Sequence, residues 1–245
     1  MARVRTADMV LELATETGPH PYAVAFDSKH IWVANGGSNT VSRYRTDAND
    51  APQVDTIAVG ALPLALAYDG NFMWVANYLD GTLTRIDPET KVTNTYASGG
   101  SNPRGLAFDG ASLWVANAGS NKITKIKPGT GGSEGSCSVG SVPMALAFDG
   151  TYIWVANYSS DNVSRVRASD LALMGTYEVG SAPRAVAFDG TYIWVANSGS
   201  NNVTKLNTDG TKVGTYDTGN CPAALAFDGA YMWVANLLSD SLSKR

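Results

Sequence analysis

Residues 140–166 read G-S-V-P-M-A-L-A-F-D-G-T-Y-I-W-V-A-N-Y-S-S-D-N-V-S-R-V, and the chain repeats this phrase six times. The six tryptophans, Trp32, Trp74, Trp114, Trp154, Trp194 and Trp233, are spaced by 42, 40, 40, 40 and 39 residues, and each opens the same W-V-A-N. Ala147–Asn157 is identical to Ala187–Asn197 over eleven residues. A fixed period of about 40 residues is the mark of a repeat architecture in which each unit buries its apolar faces against its neighbours.

Each repeat divides into four short extended segments. The first, strand a, is Met144–Asp149 in the fourth copy, and a Gly follows the Asp in five of six copies, as a hairpin turn prefers. Strand b is Tyr152–Asn157, aromatic and β-branched. Strand c, Val163–Val166, alternates apolar and polar residues, and strand d spans Gly175–Gly180. No stretch of helical length carries a 3.6-residue period. A proline stands before strand a in every copy (Pro21, Pro63, Pro103, Pro143, Pro183, Pro222), where a missing N–H does no harm.

Four strands per 40-residue repeat predict an all-β, six-bladed β-propeller of antiparallel blades. The blades fall at about 19–60, 61–99, 100–140, 141–180, 181–219 and 220–245 of a single domain spanning 1–245. The sixth repeat stops after strand c, and Thr-Glu-Thr-Gly at 15–18 matches Tyr-Asp-Thr-Gly at 216–219, so residues 8–18 are expected to supply its fourth strand. The Trp residues and the strand-a aromatics (Phe26, Tyr68, Phe108, Phe148, Phe188, Phe227) are the expected filling between blades. Burying one Trp removes roughly 200 Å² from water, at most about 5 kcal/mol gross.

Composition narrows the function. The 245 residues are 44% hydrophobic and 16% charged, with a net charge of −4, so a disordered chain is excluded and an acidic surface is a poor match for nucleic acid. No apolar run approaches the length that spans a bilayer, and no secretory leader is visible, so no membrane contact is expected and the compartment stays unknown, cytoplasmic as the sequence is written. A monomer is expected.

Residues common to all copies read as framework. Asp27, Asp69, Asp109, Asp149, Asp189 and Asp228 end strand a, and Arg43, Arg85, Lys125, Arg165, Lys205 and Lys244 sit in strand c, suggesting a repeated ion pair or a turn-capping set. The Asn of W-V-A-N is expected to cap the b–c turn. Function is expected where the repeat varies, at the end carrying the d–a and b–c loops. There the residues flanking the proline and following W-V-A-N include His20, Tyr22, Tyr78, Arg104, Tyr158 and Arg184. These six are the candidate ligand-binding residues. Two guanidiniums and three phenol rings suit an anionic or flat ligand, and drift at exposed positions is the plainer account.

Catalytic and metal sets are thin. His20 is the one imidazole at the variable end, and no second His or Glu stands at an equivalent position to form an acid–base pair. Asp80, Asp161 and Asp240 read as turn caps rather than ligands. No catalytic residue, metal or cofactor is assigned. Cys137 and Cys221 fall at non-equivalent places, so no disulfide is expected.

The phrase P-x-A-L-A-F-D-G-x-x-x-W-V-A-N-x-x-S-x-x-V resembles the repeats of the virginiamycin B lyase-like and YVTN-type β-propellers over essentially the whole chain. The resemblance implies the propeller fold. Streptogramin lyases of that group use a His/Glu cluster with magnesium at the mouth of seven blades, and their repeat reads W-F-T-E. Here Asn takes the Glu place in all six copies. The expected function is therefore non-catalytic: a scaffold or a module binding a small molecule, glycan or peptide at the propeller mouth. The alternatives are a metal-dependent lyase or hydrolase in which His20 takes part, and a purely structural blade array.

Overall fold

The structure, a computed structural model, describes residues 2–5, 10–14, 16–46 and 53–245. It is all-β, built as six propeller blades of three or four antiparallel strands. A hairpin of β1 (Ala2–Arg5) and β2 (Val10–Ala14) precedes them. Blade 1 holds β3 (Pro21–Phe26), β4 (His30–Asn35), β5 (Thr40–Arg45) and β6 (Gln53–Ala58). Blade 2 holds β7 (Pro63–Tyr68), β8 (Met73–Asn77), β9 (Thr82–Ile86) and β10 (Thr93–Ala97). Blade 3 holds β11 (Pro103–Phe108), β12 (Leu113–Asn117), β13 (Lys122–Lys127) and β14 (Gly132–Ser138). Blade 4 holds β15 (Pro143–Phe148), β16 (Tyr152–Asn157), β17 (Asn162–Arg167) and β18 (Leu173–Glu178). Blade 5 holds β19 (Pro183–Phe188), β20 (Tyr192–Asn197), β21 (Asn202–Asn207) and β22 (Lys212–Asp217). Blade 6 holds β23 (Pro222–Phe227), β24 (Met232–Asn236) and β25 (Ser241–Lys244). The expected strands of blades 1 to 5 and strands a to c of blade 6 are present, shifted by one or two residues. The only helical piece among the described residues is a single 3-10 turn, Ala118–Ser120, so none of them forms a helix long and apolar enough to cross a membrane.

Blades 1 and 2 form one compact unit, Met1–Ser98, and blades 3 to 6 a second, Gly99–Arg245. Within each unit, successive blades stack through their innermost strands, and the core lies between them. Trp114, Ala116 and Ile123 of blade 3 meet Leu146, Ile153, Val155 and Val166 of blade 4. Trp154, Ala156 and Val163 of blade 4 meet Val186, Ile193, Val195 and Leu206 of blade 5 in the same way. Each blade thus has a leading face, built on the Leu/Val and Phe of strand a, and a trailing face, built on Trp, Ala and the first Val of strand c.

The expected closure of blade 6 by residues 8–18 is not what the structure shows. Blade 6 is three-stranded, and β2 pairs with β1, with Ala2 opposite Ala14 and Arg5 opposite Val10. Part of the expected segment, residues 8, 9 and 15, lies outside the described residues. A hairpin partner a few residues away closes a short loop, which costs less entropy than pairing across the whole chain. The segment that follows is tied to blade 1, where the Tyr44 hydroxyl donates to the Glu16 carbonyl at 2.7 Å.

Repeated polar contacts lock each blade. In every copy the strand-a Asp caps the a–b turn and holds the Trp. In blade 4, Asp149 Oδ1 accepts from the Thr151 and Tyr152 N–H groups, and Oδ2 accepts from Trp154 Nε1 at 2.7 Å. The turn-capping half of the sequence reading holds, and the ion-pair half does not. The strand-c cation instead lies opposite the Trp in the β-ladder, as Arg165 does with Trp154, and stacks on aromatic rings. Arg165 Cζ is 4.6 Å from the Tyr152 ring centroid and 5.8 Å from that of Trp154. Three of these cations reach into the following blade: Arg165 Nη1 donates to the Thr208 carbonyl at 2.6 Å, Lys125 Nζ to the Ala168 carbonyl at 2.9 Å, and Arg43 to the Pro88 carbonyl.

The W-V-A-N asparagine also departs from its expected role. Asn157 is fully buried, and its Nδ2 donates across to strand c, to Asn162 Oδ1 and Ser164 Oγ at 2.9 Å each. A Cβ placed on Gly140, which precedes strand a of the same blade, would lie 2.7 Å from Asn157 Cγ, so only glycine fits over this amide. The turn-capping task falls instead to the b–c loop residue in the left-handed conformation. Asn121, Asp161 and Asn201 (φ 52°, 54° and 55°) each accept, through Oδ1, the N–H of the residue before the next blade's proline.

Candidate functional site

The loop end of each blade is set by two backbone features that the sequence pattern conceals. First, the residue before the proline is left-handed in all six copies: His20 (φ 52°), Leu62 (54°), Asn102 (51°), Val142 (54°), Ala182 (52°) and Cys221 (55°). Its carbonyl accepts the N–H of the residue after W-V-A-N, as in Gly36 to His20 at 2.9 Å and Tyr158 to Val142 at 3.0 Å. Second, strand a is bulged immediately after the proline. In blade 4, Pro143 pairs with Asn157 and Ala145 with Ala156, so Met144 is the extra residue. The same count makes Tyr22, Leu64, Arg104, Arg184 and Ala223 the bulge residues of the other blades. A bulge frees one residue from the ladder and re-aims its side chain. A position at which the repeat varies is therefore one that the sheet leaves uncommitted.

In the first unit, the candidate residues His20 and Tyr22 sit over the Gly36–Gly37 pair. A Cβ on Gly36 would fall 2.6 Å from the Tyr22 ring, and one on Gly37 would fall 2.9 Å from His20 Nδ1. The two glycines make room for a phenol and an imidazole side by side, with Tyr22 still 56% exposed. Tyr78, half-buried, is on the next blade, its N–H donating to the Leu62 carbonyl at 3.0 Å. The same unit holds an open cleft of about 480 Å³ lined by Gly60, Asp80, Thr82, Thr84, Thr93 and Thr95. Asp80 Oδ2 there accepts the Ala61 N–H at 2.7 Å, the turn-cap role expected of it. Sequence reading did not find this cleft, because its hydroxyls belong to two strands that only register brings together.

In the second unit, Arg104, Tyr158 and Arg184 stand on blades 3, 4 and 5. The two arginines hold the same bulge position on β11 and β19, on either side of β15. Met144, the bulge residue between them, is 8% exposed, and Tyr158 is 38% exposed. Arg184 is half-buried, and its Nη1 lies 4.0 Å from Cys221 Sγ, its one side-chain contact among the described residues. Among the described residues no carboxylate pairs with it. The proximity of Cys221 carried no signal in the sequence. Both cysteines are free thiols.

Elsewhere the strand-a carboxyls are committed to the framework. Burial opposes the ionisation of Asp27 and Asp189, but the hydrogen bonds from the Trp indole and two backbone N–H groups outweigh it and hold both carboxyls below the usual range. His30 belongs to this framework: its Nδ1 lies 3.2 Å from Asp27 Oδ2. Among the described residues no three His, Cys, Asp or Glu side chains gather closely enough to hold a metal ion.

This loop-end geometry sits on a scaffold found in known proteins. The chain is similar in fold to virginiamycin B lyase. The Staphylococcus aureus enzyme superposes with a TM-score of 0.83 at 15% identity, over 99% of this chain and 86% of that one. A putative 6-phosphogluconolactonase of Bacteroides fragilis gives 0.80 at 20% identity, covering 99% and 88% of the two chains. The hydrazine synthase of Kuenenia stuttgartiensis gives 0.79 at 19% identity, covering 100% and 88%. At these identities the likeness is one of fold. No family model and no curated protein matches the sequence.

Proposed function

We propose that the protein is a ligand-binding propeller whose specificity lies in the six bulge residues and the loops beside them, and that the second unit contributes an anion site built on Arg184 and Arg104. The observation that carries this reading is the bulge itself. One residue per blade is released from the ladder while the framework side chains around it are committed, and at β19 that residue is an arginine with no carboxylate partner among the described residues. A guanidinium presents a planar fork that suits a carboxylate or phosphate. Tyr158, partly exposed on the blade between the arginines, adds a flat amphipathic wall. A small molecule carrying a carboxylate or phosphate next to a ring or sugar fits this set better than a neutral glycan or a long peptide.

The test is calorimetric titration of aromatic carboxylates and sugar phosphates into the full chain. At least one should bind, and Arg184→Ala should weaken that binding about tenfold or more, as loss of a charge-assisted hydrogen bond of about 1.5–3 kcal/mol does. Affinity unchanged in an Arg104→Ala, Arg184→Ala double variant would remove the arginines from the site. His20 and Tyr22 form a separate test set: a ligand that survives the double variant and is lost in Tyr22→Ala would place recognition in the first unit.

A further inference from the structure

The cleft of the first unit is built where blade 2 departs from the repeat. Three residues after the W-V-A-N asparagine, five copies carry Ser (Ser38, Ser120, Ser160, Ser200, Ser239), and blade 2 alone carries Asp80. Four of those serines use their one oxygen to accept the N–H of Ser101, Ser141, Ser181 or Asn220, at 3.0–3.2 Å. Asp80 does the same task with Oδ2, accepting the Ala61 N–H at 2.7 Å. Its Oδ1 accepts from no described residue, so blade 2 carries one carboxylate oxygen more than the turn requires.

Strand d of blade 2 departs too. β6, β14, β18 and β22 each bulge against strand c, whereas β10 runs in unbroken register with β9. Thr93 and Thr95 therefore share a face, with Thr95 opposite Thr84, and Thr82 and Thr84 continue that face on β9. At the place of Thr93, β14, β18 and β22 carry Glu134, Met174 and Val213. Asn77 Nδ2 donates to Thr82 Oγ1 at 3.1 Å and to Thr84 Oγ1 at 2.9 Å, which leaves both hydroxyls free to donate. Thr93 and Thr95 are exposed, and their hydroxyls bond to no described residue. These groups line a cleft of about 480 Å³, within the range of small-molecule sites. All of its walls lie between residues 58 and 95, inside the first unit, and none of the strand-a bulge residues lines it.

We propose that this cleft is a second binding site, and that its ligand is a neutral sugar. The wall holds a carboxylate and no cationic side chain, so it repels an anion. It holds no aromatic ring on which a flat apolar ligand could stack. A calcium ion needs its oxygens gathered at about 2.3–2.6 Å from one point. Neighbouring strands lie about 4.8 Å apart, and residues i and i+2 of a strand about 7 Å apart, so the four threonine hydroxyls are spread over a patch and do not converge. A sugar meets such a patch with several hydroxyls, each able to donate and to accept. One donates to Asp80 Oδ1, a second accepts from Thr82, and others bond to Thr93 and Thr95. The site does not rest on the anion site of the second unit.

Titration of glucose, galactose, maltose and cellobiose into the full chain, with its Thr methyl groups carbon-13 labelled and read by NMR, tests it. At least one of these sugars should shift the methyl signals of Thr93 and Thr95. Asp80→Ser restores the residue of the other five blades and keeps an acceptor for the Ala61 N–H, so it should melt as the parent does. It should bind that sugar about tenfold more weakly, as loss of a hydrogen bond to a charged group does. Thr95→Val, which keeps the side-chain shape and removes the hydroxyl, should weaken binding as well. The proposal is overturned if none of the sugars moves these signals, or if a sugar binds the parent and Asp80→Ser alike. It is also overturned if calcium chloride moves them in the parent and not in Asp80→Ser, which would make the cleft a cation site.

Discussion

Trp154 Nε1 donates to Asp149 Oδ2 at 2.7 Å, across the turn of a single hairpin. The same bond recurs at 2.7–2.8 Å between Trp32 and Asp27, Trp74 and Asp69, Trp114 and Asp109, Trp194 and Asp189, and Trp233 and Asp228. It explains how a large side chain with one polar atom can occupy the seam between blades: the indole body fills the contact, and the N–H is satisfied before the next blade arrives.

Removing the acceptor should therefore cost more than the bond itself. Asp149→Ala is expected to destabilise the protein by about 1–3 kcal/mol, since Trp154 Nε1 is left buried without a partner. Trp154→Ala should cost about 3–5 kcal/mol through the cavity it opens. Urea denaturation read by circular dichroism checks both, and a Trp154→Ala cost below about 1 kcal/mol would return the ring to solvent.

Acid should act through the same carboxyls. Asp27 and Asp189 have folded pKa values below the ordinary one. Their contribution is fully present above the unfolded pKa of about 3.9 and is lost as pH falls through the lower folded value. Stability is expected to be level from about pH 7 to pH 5 and to fall below about pH 4. Asp189→Asn should flatten part of that fall. A variant with the same acid slope as the parent would show that this carboxyl does not carry it.

The buried asparagine predicts the opposite sign. Asn157 is fully buried, and its Oδ1 has no donor among the described residues. A carboxylate at that place is desolvated, which raises its folded pKa above the unfolded value. Asn157→Asp should then be most stable at low pH and lose stability as pH rises through the raised pKa. Thermal melts at pH 4.5 and 7.5 check it. The Asn157→Asp variant should lie closer to the parent at the lower pH, and a gap that widens there contradicts the assignment.

Backbone strain offers a stabilising change. Val142 is β-branched and held at φ 54°, where the equivalent residue of blade 3 is Asn102 at φ 51°. A left-handed backbone costs a branched side chain about 1–2 kcal/mol, and Asn tolerates it. Val142→Asn is expected to raise the melting temperature by a few degrees. A lower melting temperature would mean that the half-buried Val142 side chain is worth more than the strain.

Within the repeat, much was legible because local rules and the period agreed. The Trp spacing gave the blades, the Asp-Gly pairs gave the hairpins, and the proline gave the start of strand a. The roles of the repeated polar residues were less legible. Arg165 and Asp149 lie in one blade and invite pairing, yet the ladder places Arg165 opposite Trp154, and burial against aromatic rings competes with the ion pair. The candidate residues were found by their variability alone. Nothing in the spacing showed that Tyr22, Arg104 and Arg184 are bulge residues, since a bulge is defined by the partner strand's count and not by its own.

By itself the sequence determined the six repeats, the strands within each and their order, because the alternation and turn residues that make a blade lie within forty positions of one another. Tertiary structure alone decided which faces are covered. Val24 and Val186 occupy equivalent places in nearly identical phrases, yet one is 64% exposed and the other 8%. The same holds for the pairing of residues 10–14, which follow the nearer partner β1 rather than joining blade 6 as the motif shared with blade 5 suggested. Burial is a property of the neighbour that arrives, and a repeated sequence describes every neighbour alike.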